Sequence, residues 1–469
     1  VELEPVRFGP DDGLTRTVTG TIPYGAPDWV YLPVEVPAGV NRITVTYRYD
    51  RPTPPPGHDG NALDLGVFDE RGHAGAGFRG WSGGARDGFT ISASDATPGY
   101  LPGPIHAGRW HVLLGPYGVV PDGLRWTLTV TLELGPSGPA FAPTPAPHEA
   151  SGRGRAWYRG DMHLHTVHSD GRRQPAELAA DARAAGLDYI VSTEHNTPSA
   201  HAIWGTHAGP DLLVINGTEV TTRNGHLGVL GLPAGTWIDW RYRATDGAIG
   251  DALRAAHDAG ALAVANHPLA SCKGCGWKFG YEGLDAIEVW NGPWTPDDEA
   301  TLGNWDNLLV AGERWLPAVG NSDAHGKDQV VGLPQNVVLA DGLDRDSILA
   351  GVRAGRLWIA ESSAIDLDFT ASAAHGRAAG IGDRLDVADD TAITVTLAAR
   401  GAPDAVVNIV TDQGRRLVAP VPATGVVSWT TTPRASRYVR AEVRRADTMV
   451  ALTNPIFLGG RVRQERLTA

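Results

Sequence analysis

Between residues 155 and 362 short apolar runs alternate with segments of helical periodicity, and on either side the pattern changes to a strict period of two. This change of period constrains the fold most, because an amphipathic helix buries every third or fourth residue and a half-buried strand every second. In the first part Ile43, Val45, Tyr47 and Tyr49 alternate with Thr44, Thr46 and Arg48. Trp126, Leu128, Val130, Leu132 and Leu134 alternate in the same way with Thr127, Thr129, Thr131 and Glu133. Gly (59) and Pro (34) break the runs throughout the 469 residues, so residues 1–135 read as a β-sandwich. A stretch without apolar periodicity follows at 136–154, with Pro136, Pro139, Pro143, Pro145 and Pro147, and reads as a stiff linker.

In the middle region a helix is expected from Pro175, with Leu178, Ala182 and Ala185 on one face and a stop at Gly186. The strand Tyr189–Val191 comes next. Asp246 is placed to cap a second helix through Ile249, Leu253 and Ala256 to Gly260, before the apolar strand Leu262–Ala265. Strands are expected at Asp285–Trp290 and Leu316–Gly320 with a helical segment between them, and a last helix carries Ile348, Leu349 and Val352 up to Gly355. Repeated β–α units imply a parallel sheet or barrel over 155–362. From 363 to 469 the period-two pattern returns, with Ile393, Val395 and Leu397 set against Thr394 and Thr396, as in a second sandwich. The expected class is a multidomain α/β plus all-β chain.

No apolar run reaches the roughly 20 residues of a membrane-spanning helix. The net charge of -13 opposes a binder of long nucleic acid, which needs a basic face. Cys272 and Cys275 form one C-x-x-C pair in a Gly-rich loop, and a loop disulfide, free thiols and a metal or redox role all stay open. The sequence starts at Val1 rather than Met, and with the paired cysteines and the sandwich-linker arrangement this suits an exported bacterial enzyme.

The chemistry is carried by histidines and carboxylates at the ends of the expected strands. His163 and His165 lie two apart, so on a strand they point the same way and can grip one ion; Asp170 can fold back toward them. His195 follows the strand at 189–191, Glu219 ends the Leu212–Ile215 segment, and His226 opens the next. His267 follows Val264, and Asp323 and His325 close the set. Any one of these, alone, reads as a hydrogen-bonded histidine, a cap or a surface charge. Nine on one end of a β/α sheet are hard to obtain that way, and that end is where active sites form in barrels. Histidine with carboxylate suits manganese, zinc or iron. Nine ligands exceed the shell of one ion and imply a cluster of two or three.

The motifs His163-Leu-His165, Ser169-Asp170-Gly171, Glu194-His195-Asn196, Asn266-His267-Pro268 and Ser322-Asp323-Ala324-His325 resemble those of the PHP (polymerase and histidinol phosphatase) metallohydrolases. Ile287–Gly292 and Leu452–Phe457 look like the branch named after the carbaryl hydrolases. The resemblance implies a distorted (β/α)7 barrel flanked by the two sandwiches, with a di- or trinuclear site on the nine residues named above. It places Glu194, where the family more often has Asp, behind a ligand histidine.

Such a site turns a metal-bridging water into a hydroxide nucleophile near neutral pH and neutralises charge on the group attacked. His168, His201 and His207 are candidates to protonate a leaving group. Arg223, Lys273 and Lys278 are candidates to bind an anion; for these and for the three histidines the plainer reading is a solvated loop residue. Trp277, Trp290 and Trp294 read as packing. The expected reaction is hydrolysis of small anionic phosphate esters, diesters ahead of monoesters. The alternatives are a carbamate, amide or ester hydrolase of the carbaryl type and, more remotely, a non-catalytic binding protein. The sandwiches are candidates for cell-wall or glycan contact.

Overall fold

The computed structural model describes residues 1–9, 13–311 and 315–460. The end of the expected C-terminal sandwich, 461–469, lies outside the described residues. The first eight strands are β1 (Thr15–Ile22), β2 (Val30–Val36), β3 (Val40–Tyr49), β4 (Ala62–Phe68), β5 (Phe78–Gly83), β6 (Gly88–Ser92), β7 (Gly108–Gly118) and β8 (Leu124–Leu134). They form two four-stranded antiparallel sheets, β1-β8-β3-β6 and β2-β7-β4-β5. Ile43, Val45, Tyr47, Trp126, Leu128, Val130 and Leu132 are buried between them, as the alternation requires. Leu134 departs from the pattern and is 55% exposed, because it ends β8 opposite Val40, where the register with β3 shifts.

Nine strands and four helices follow: β9 (Ala156–Asp161), α1 (Pro175–Ala184), β10 (Tyr189–Ser192), β11 (Leu213–Thr222), β12 (Gly225–Leu230), α2 (Ile249–Asp258), β13 (Leu262–Asn266), β14 (Ala286–Asn291), α3 (Pro296–Ala311), β15 (Ala318–Asn321), β16 (Gln335–Ala340), α4 (Arg345–Arg353) and β17 (Leu357–Ala360). The strands pair in the order β15-β14-β13-β12-β11-β10-β9-β16-β17. Beyond the last pleat of β9, Leu164 bridges Ala324, so the chain after β9 meets the chain after β15. The helices form where expected: Leu178 and Ala182 of α1 and Ile348, Leu349 and Val352 of α4 are buried. Asp246 does not cap α2; its carboxylate accepts from the main chain of Arg243 and Ala248, closing a turn just before the helix.

Strict β/α alternation is not what forms. β11 and β12 are joined by only Arg223 and Asn224, a connection too short for a parallel crossover, and β11, β12 and β13 therefore pair antiparallel. Two short 3₁₀ turns stand between β10 and β11 in place of a helix. The loop 267–285 carries Pro268 and Gly274, Gly276, Gly280 and Gly283, which disfavour helix.

The remaining strands are β18 (Asp366–Ala373), β19 (Arg377–Gly380), β20 (Arg384–Leu385), β21 (Ile393–Arg400), β22 (Val406–Thr411), β23 (Gly414–Pro420), β24 (Val426–Thr431), β25 (Tyr438–Arg445), β26 (Thr448–Thr453) and β27 (Ile456–Leu458). One sheet has the order β19-β18-β21-β24; the other continues the central sheet through β17-β26-β25-β22-β23. Ile393, Val395 and Leu397 are buried between them. At the opposite end, Phe78 stacks on Trp237 with ring centroids 4.7 Å apart, and Trp81 meets Trp240 edge-on. These contacts seat the β2-β7-β4-β5 sheet on the central region. Among the described residues no helix is long and apolar enough to cross a membrane.

Candidate metal centre

The bridge between Leu164 and Ala324 sets the first four side chains. Asp323 N donates to His163 O (3.0 Å) and His165 N to Ala324 O (3.3 Å), which holds His163 and His165 beside Asp323 and His325. Glu219 does not end a strand, as expected, but sits within the long β11. Its side chain meets His226, which follows the turn into β12 as the second residue of that strand. His267 comes directly after β13, and His195 stands three residues beyond the end of β10. Asn196, His267 and Asp323 all have positive φ (58°, 29° and 48°), a backbone strain that non-glycine residues accept mainly at functional sites.

All nine expected residues converge, in three overlapping groups: His163, His165, Glu219 and Asp323; His165, Asp170, His195 and His325; and Glu219, His226 and His267. His163 Nε2 is 3.2 Å from both Glu219 Oε1 and Asp323 Oδ1, and His165 Nε2 is 3.0 Å from Asp323 Oδ1. Asp170 Oδ1 is 3.4 Å from His195 Nε2 and 3.3 Å from His325 Nε2. His226 Nδ1 and His267 Nε2 each stand 3.1 Å from Glu219 Oε1. Two donors bound tetrahedrally at the usual zinc–nitrogen and zinc–oxygen distances are about 3.4 Å apart, so these separations suit shared ions.

His165 Nε2, Glu219 Oε2 and Asp323 Oδ1 are buried and have no hydrogen-bond partner among the described residues. Left so, each costs about 1–3 kcal/mol; a cation between them satisfies all three. The donor set therefore fits a metal group.

Burial alone would raise Asp323 and Glu219, but the facing His163 charge and its neighbours outweigh it and hold both far below the usual carboxylate range. Asp170 is likewise held low, burial being outweighed by His195 and His325. Burial, with His325 and His195 alongside, pushes His165 down to about 3. His325 is pushed up to about 10, because Asp170 and Asp323 outweigh its burial. The carboxylates and His165 are thus in the states that metal binding requires, whereas His325, and His163, raised despite its burial well above its usual value by the facing carboxylates, carry protons that an ion would displace.

Behind the donors stands Glu288, which is 1% exposed. Its Oε1 is 3.0 Å from His163 Nδ1 and accepts from Asn321 Nδ2; its Oε2 accepts from His267 N (2.8 Å) and Asn291 Nδ2. It thus orients two donors. Sequence reasoning did not assign it, although a lone carboxylate within the apolar run Ala286–Trp290 is itself a signal. Thr221 Oγ1, 2.5 Å from His195 Nδ1, and Asn266 Nδ2, donating to Glu219 Oε1, were missed as well. Glu194 accepts from Thr166 and from Ser169 Oγ (2.6 Å), whose oxygen lies 3.5 Å from His165 Nδ1, so it bears on His165 through Ser169. Glu288→Gln is expected to weaken metal binding 10- to 100-fold; a metal titration with unchanged affinity would contradict this role.

The expected catalytic residues divide. His168 Nδ1 is 2.9 Å from Ser199 Oγ, and burial, with Arg86 adding to it, pushes the ring down to about 4. Ser199 Oγ in turn accepts from Gly99 N of the N-terminal part. His201 is corrected to a packing residue: its Nε2 donates to Gly217 O (2.8 Å) and its Nδ1 accepts from Gly235 N (3.2 Å), leaving neither nitrogen for a substrate. Arg223 lies over the Trp29 and Tyr117 rings, with Nε 3.5 Å from Asp28 Oδ1; its buried Nε and Nη2 have no hydrogen-bond partner among the described residues. Lys273 is engaged by Asp59 (2.7 Å) and Tyr117 O, and Lys278 is exposed. Trp290 and Trp277 are buried, Trp290 against Trp294 and Trp277 against Phe279, as packing requires. Cys272 and Cys275 form a disulfide. His207 packs its ring edge-on against Trp204.

No protein-family model and no curated protein matches the chain. Among solved structures it is similar to a two-domain protein from Bacteroides vulgatus described as containing a predicted PHP-like metal-dependent phosphoesterase. That match has 16% identity and a TM-score of 0.36, and covers 68% of this chain and all of the other. A Bifidobacterium adolescentis protein assigned as a metal-dependent phosphoesterase is 19% identical over 44% of this chain and 96% of its own, with a TM-score of 0.29. An amidohydrolase from Chromobacterium violaceum is 19% identical over 37% of this chain and 89% of its own, with a TM-score of 0.28. At such scores the overlap is partial, and the functional reading rests on the residues of this chain alone. The family that the motifs resemble, the PHP-type metallohydrolases, is named in the first of these matches, and none of the three names the carbaryl-hydrolase branch.

Proposed function

We propose that the chain is a metal-dependent hydrolase of the PHP type that cleaves small phosphate esters, diesters ahead of monoesters. The observation that supports it most is the set of three buried, unpartnered donor atoms, on His165, Glu219 and Asp323, at the meeting point of nine potential ligands. The ligands would be His163, His165, Asp170, His195, Glu219, His226, His267, Asp323 and His325, holding two or three ions of manganese, zinc or iron. Bound ions would supply positive charge for a phosphoryl group and acidify a water for attack.

The protein's own groups would do the rest. His168 is held neutral by burial and has Nδ1 engaged by Ser199, so Nε2 would accept a proton from an attacking water rather than give one to a leaving group. Arg223, ion-paired with Asp28 but with Nη2 lacking a hydrogen-bond partner among the described residues, would hold an anionic oxygen. Residues 155–362 would act as the distorted barrel, with 1–135 and 363–469 as flanking sandwiches and 136–154 as the linker. The net charge of -13 disfavours long nucleic acid, so the substrate is small. Glycan or cell-wall contact through the sandwiches belongs to the same proposal. So does export, which the Cys272–Cys275 disulfide suits.

Catalytic efficiency on matched aryl phosphodiester and aryl carbamate substrates, with the same metal loaded, tests the reading. The diester is expected to be preferred. A hundredfold preference for the carbamate, about 2.7 kcal/mol in the barrier, would overturn the phosphoesterase assignment in favour of the carbaryl-hydrolase type.

A further inference from the structure

A second constellation of metal-ligating side chains lies outside the centre described above, in the N-terminal part. His111 stands in β7, the strand between β2 and β4, where it pairs with Pro33 on one side and Phe68 on the other. His73 stands in the tight loop between β4 and β5, and Glu2 on the segment that runs beside β2, bridged to Tyr31. One ligand atom from each lies within 4.8 Å of the others. Glu2 Oε1 is 3.3 Å from His73 Nε2 and 3.4 Å from His111 Nε2. This is the separation of about 3.4 Å that tetrahedral zinc imposes on a carboxylate oxygen and imidazole nitrogens.

The second observation is independent of that geometry. His111 is only 6% exposed, yet neither of its ring nitrogens has a hydrogen-bond partner among the described residues. A buried imidazole with no partner is costly, and its Nε2 faces the other two donors. The rings are also held in place. His73 stacks on Tyr31 with centroids 3.9 Å apart, its carbonyl accepts from Arg241 Nη2 (2.8 Å), and it meets His111 edge-on at 4.8 Å. The nearby cationic groups are already paired, Arg241 with Asp239 (2.6 Å) and Arg109 with Glu35 (2.8 Å), so they oppose a cation only weakly.

We propose that Glu2, His73 and His111 form a separate zinc site that takes one ion with a water in its fourth position. Two imidazoles and one carboxylate suit zinc among the common metals, and the half-exposed Glu2 side chain leaves an open face for the water. The site joins three segments distant in sequence, so an ion there fastens the segment Val1–Val6, which runs along β2 through Leu3 N to Tyr31 O and Val6 N to Pro33 O, to β7 and to the β4–β5 loop.

The test is zinc content of the full-length chain after loading with zinc and gel filtration, for wild type, Glu2→Gln and His73→Ala. Both replaced side chains are at least partly exposed and neither belongs to the proposed active centre, so folding by circular dichroism and hydrolysis should match wild type. Each variant is expected to hold one zinc equivalent fewer than wild type. Equal zinc content in wild type and both variants would overturn the site. Because the readout is a difference between chains with the same main centre, it does not depend on the proposed hydrolysis.

Discussion

Replacing Asp323 or His165 by alanine is expected to cut turnover about a thousandfold or more, and to leave the flanking sheets folded. Asp323 Oδ1 faces both His163 and His165 within one donor group, and His165 belongs to two of the three groups, so on the proposed reading either loss removes a ligand from the centre. Neither side chain belongs to an apolar cluster, so truncation opens no hydrophobic cavity of the kind that destabilises cores. Steady-state kinetics with circular dichroism as the control for folding checks this. Near-wild-type turnover in both variants would remove these residues from the site.

The sequence shows the site more clearly than the frame around it, for a physical reason. Ligand chemistry demands His, Asp and Glu at strand ends, and such residues are scarce enough there that their positions stand out; all nine meet in space. The strand and helix periods were also legible wherever burial is one-sided, as in Ile43–Tyr47, in Ile393–Leu397 and along α1 and α4. Less legible was the β11–β12 hairpin. Its turn residues Arg223 and Asn224 resemble any polar loop, so the extension of β11 past Ile215 to Thr222 escapes a reading by apolar runs. The continuity of the central sheet through β17 and β26 depends on pairing between residues about ninety positions apart, which no local pattern encodes. His201 misled because a loop histidine looks the same in sequence whether its nitrogens face a substrate or, as here, the main chain of Gly217 and Gly235. Glu288 went unassigned because it lies inside a strand rather than at its end.

Removal of metal is the other large effect expected. Chelation should abolish hydrolysis, and manganese, zinc or iron should restore it. Lowering the pH should release the ions, because the ligand histidines bind metal only when neutral and protonation competes with the ion; affinity therefore falls as pH falls. His165 Nε2, Glu219 Oε2 and Asp323 Oδ1, which have no hydrogen-bond partner among the described residues, would then lose the cation proposed to satisfy them. The most direct measurement is elemental analysis of protein purified without chelator, read as equivalents per chain for wild type and for Asp323→Ala. Two to three equivalents in wild type beyond any ion held by Glu2, His73 and His111, with a clear loss in the variant, are expected. One equivalent or less in wild type, or a variant that retains the full complement, would contradict the cluster.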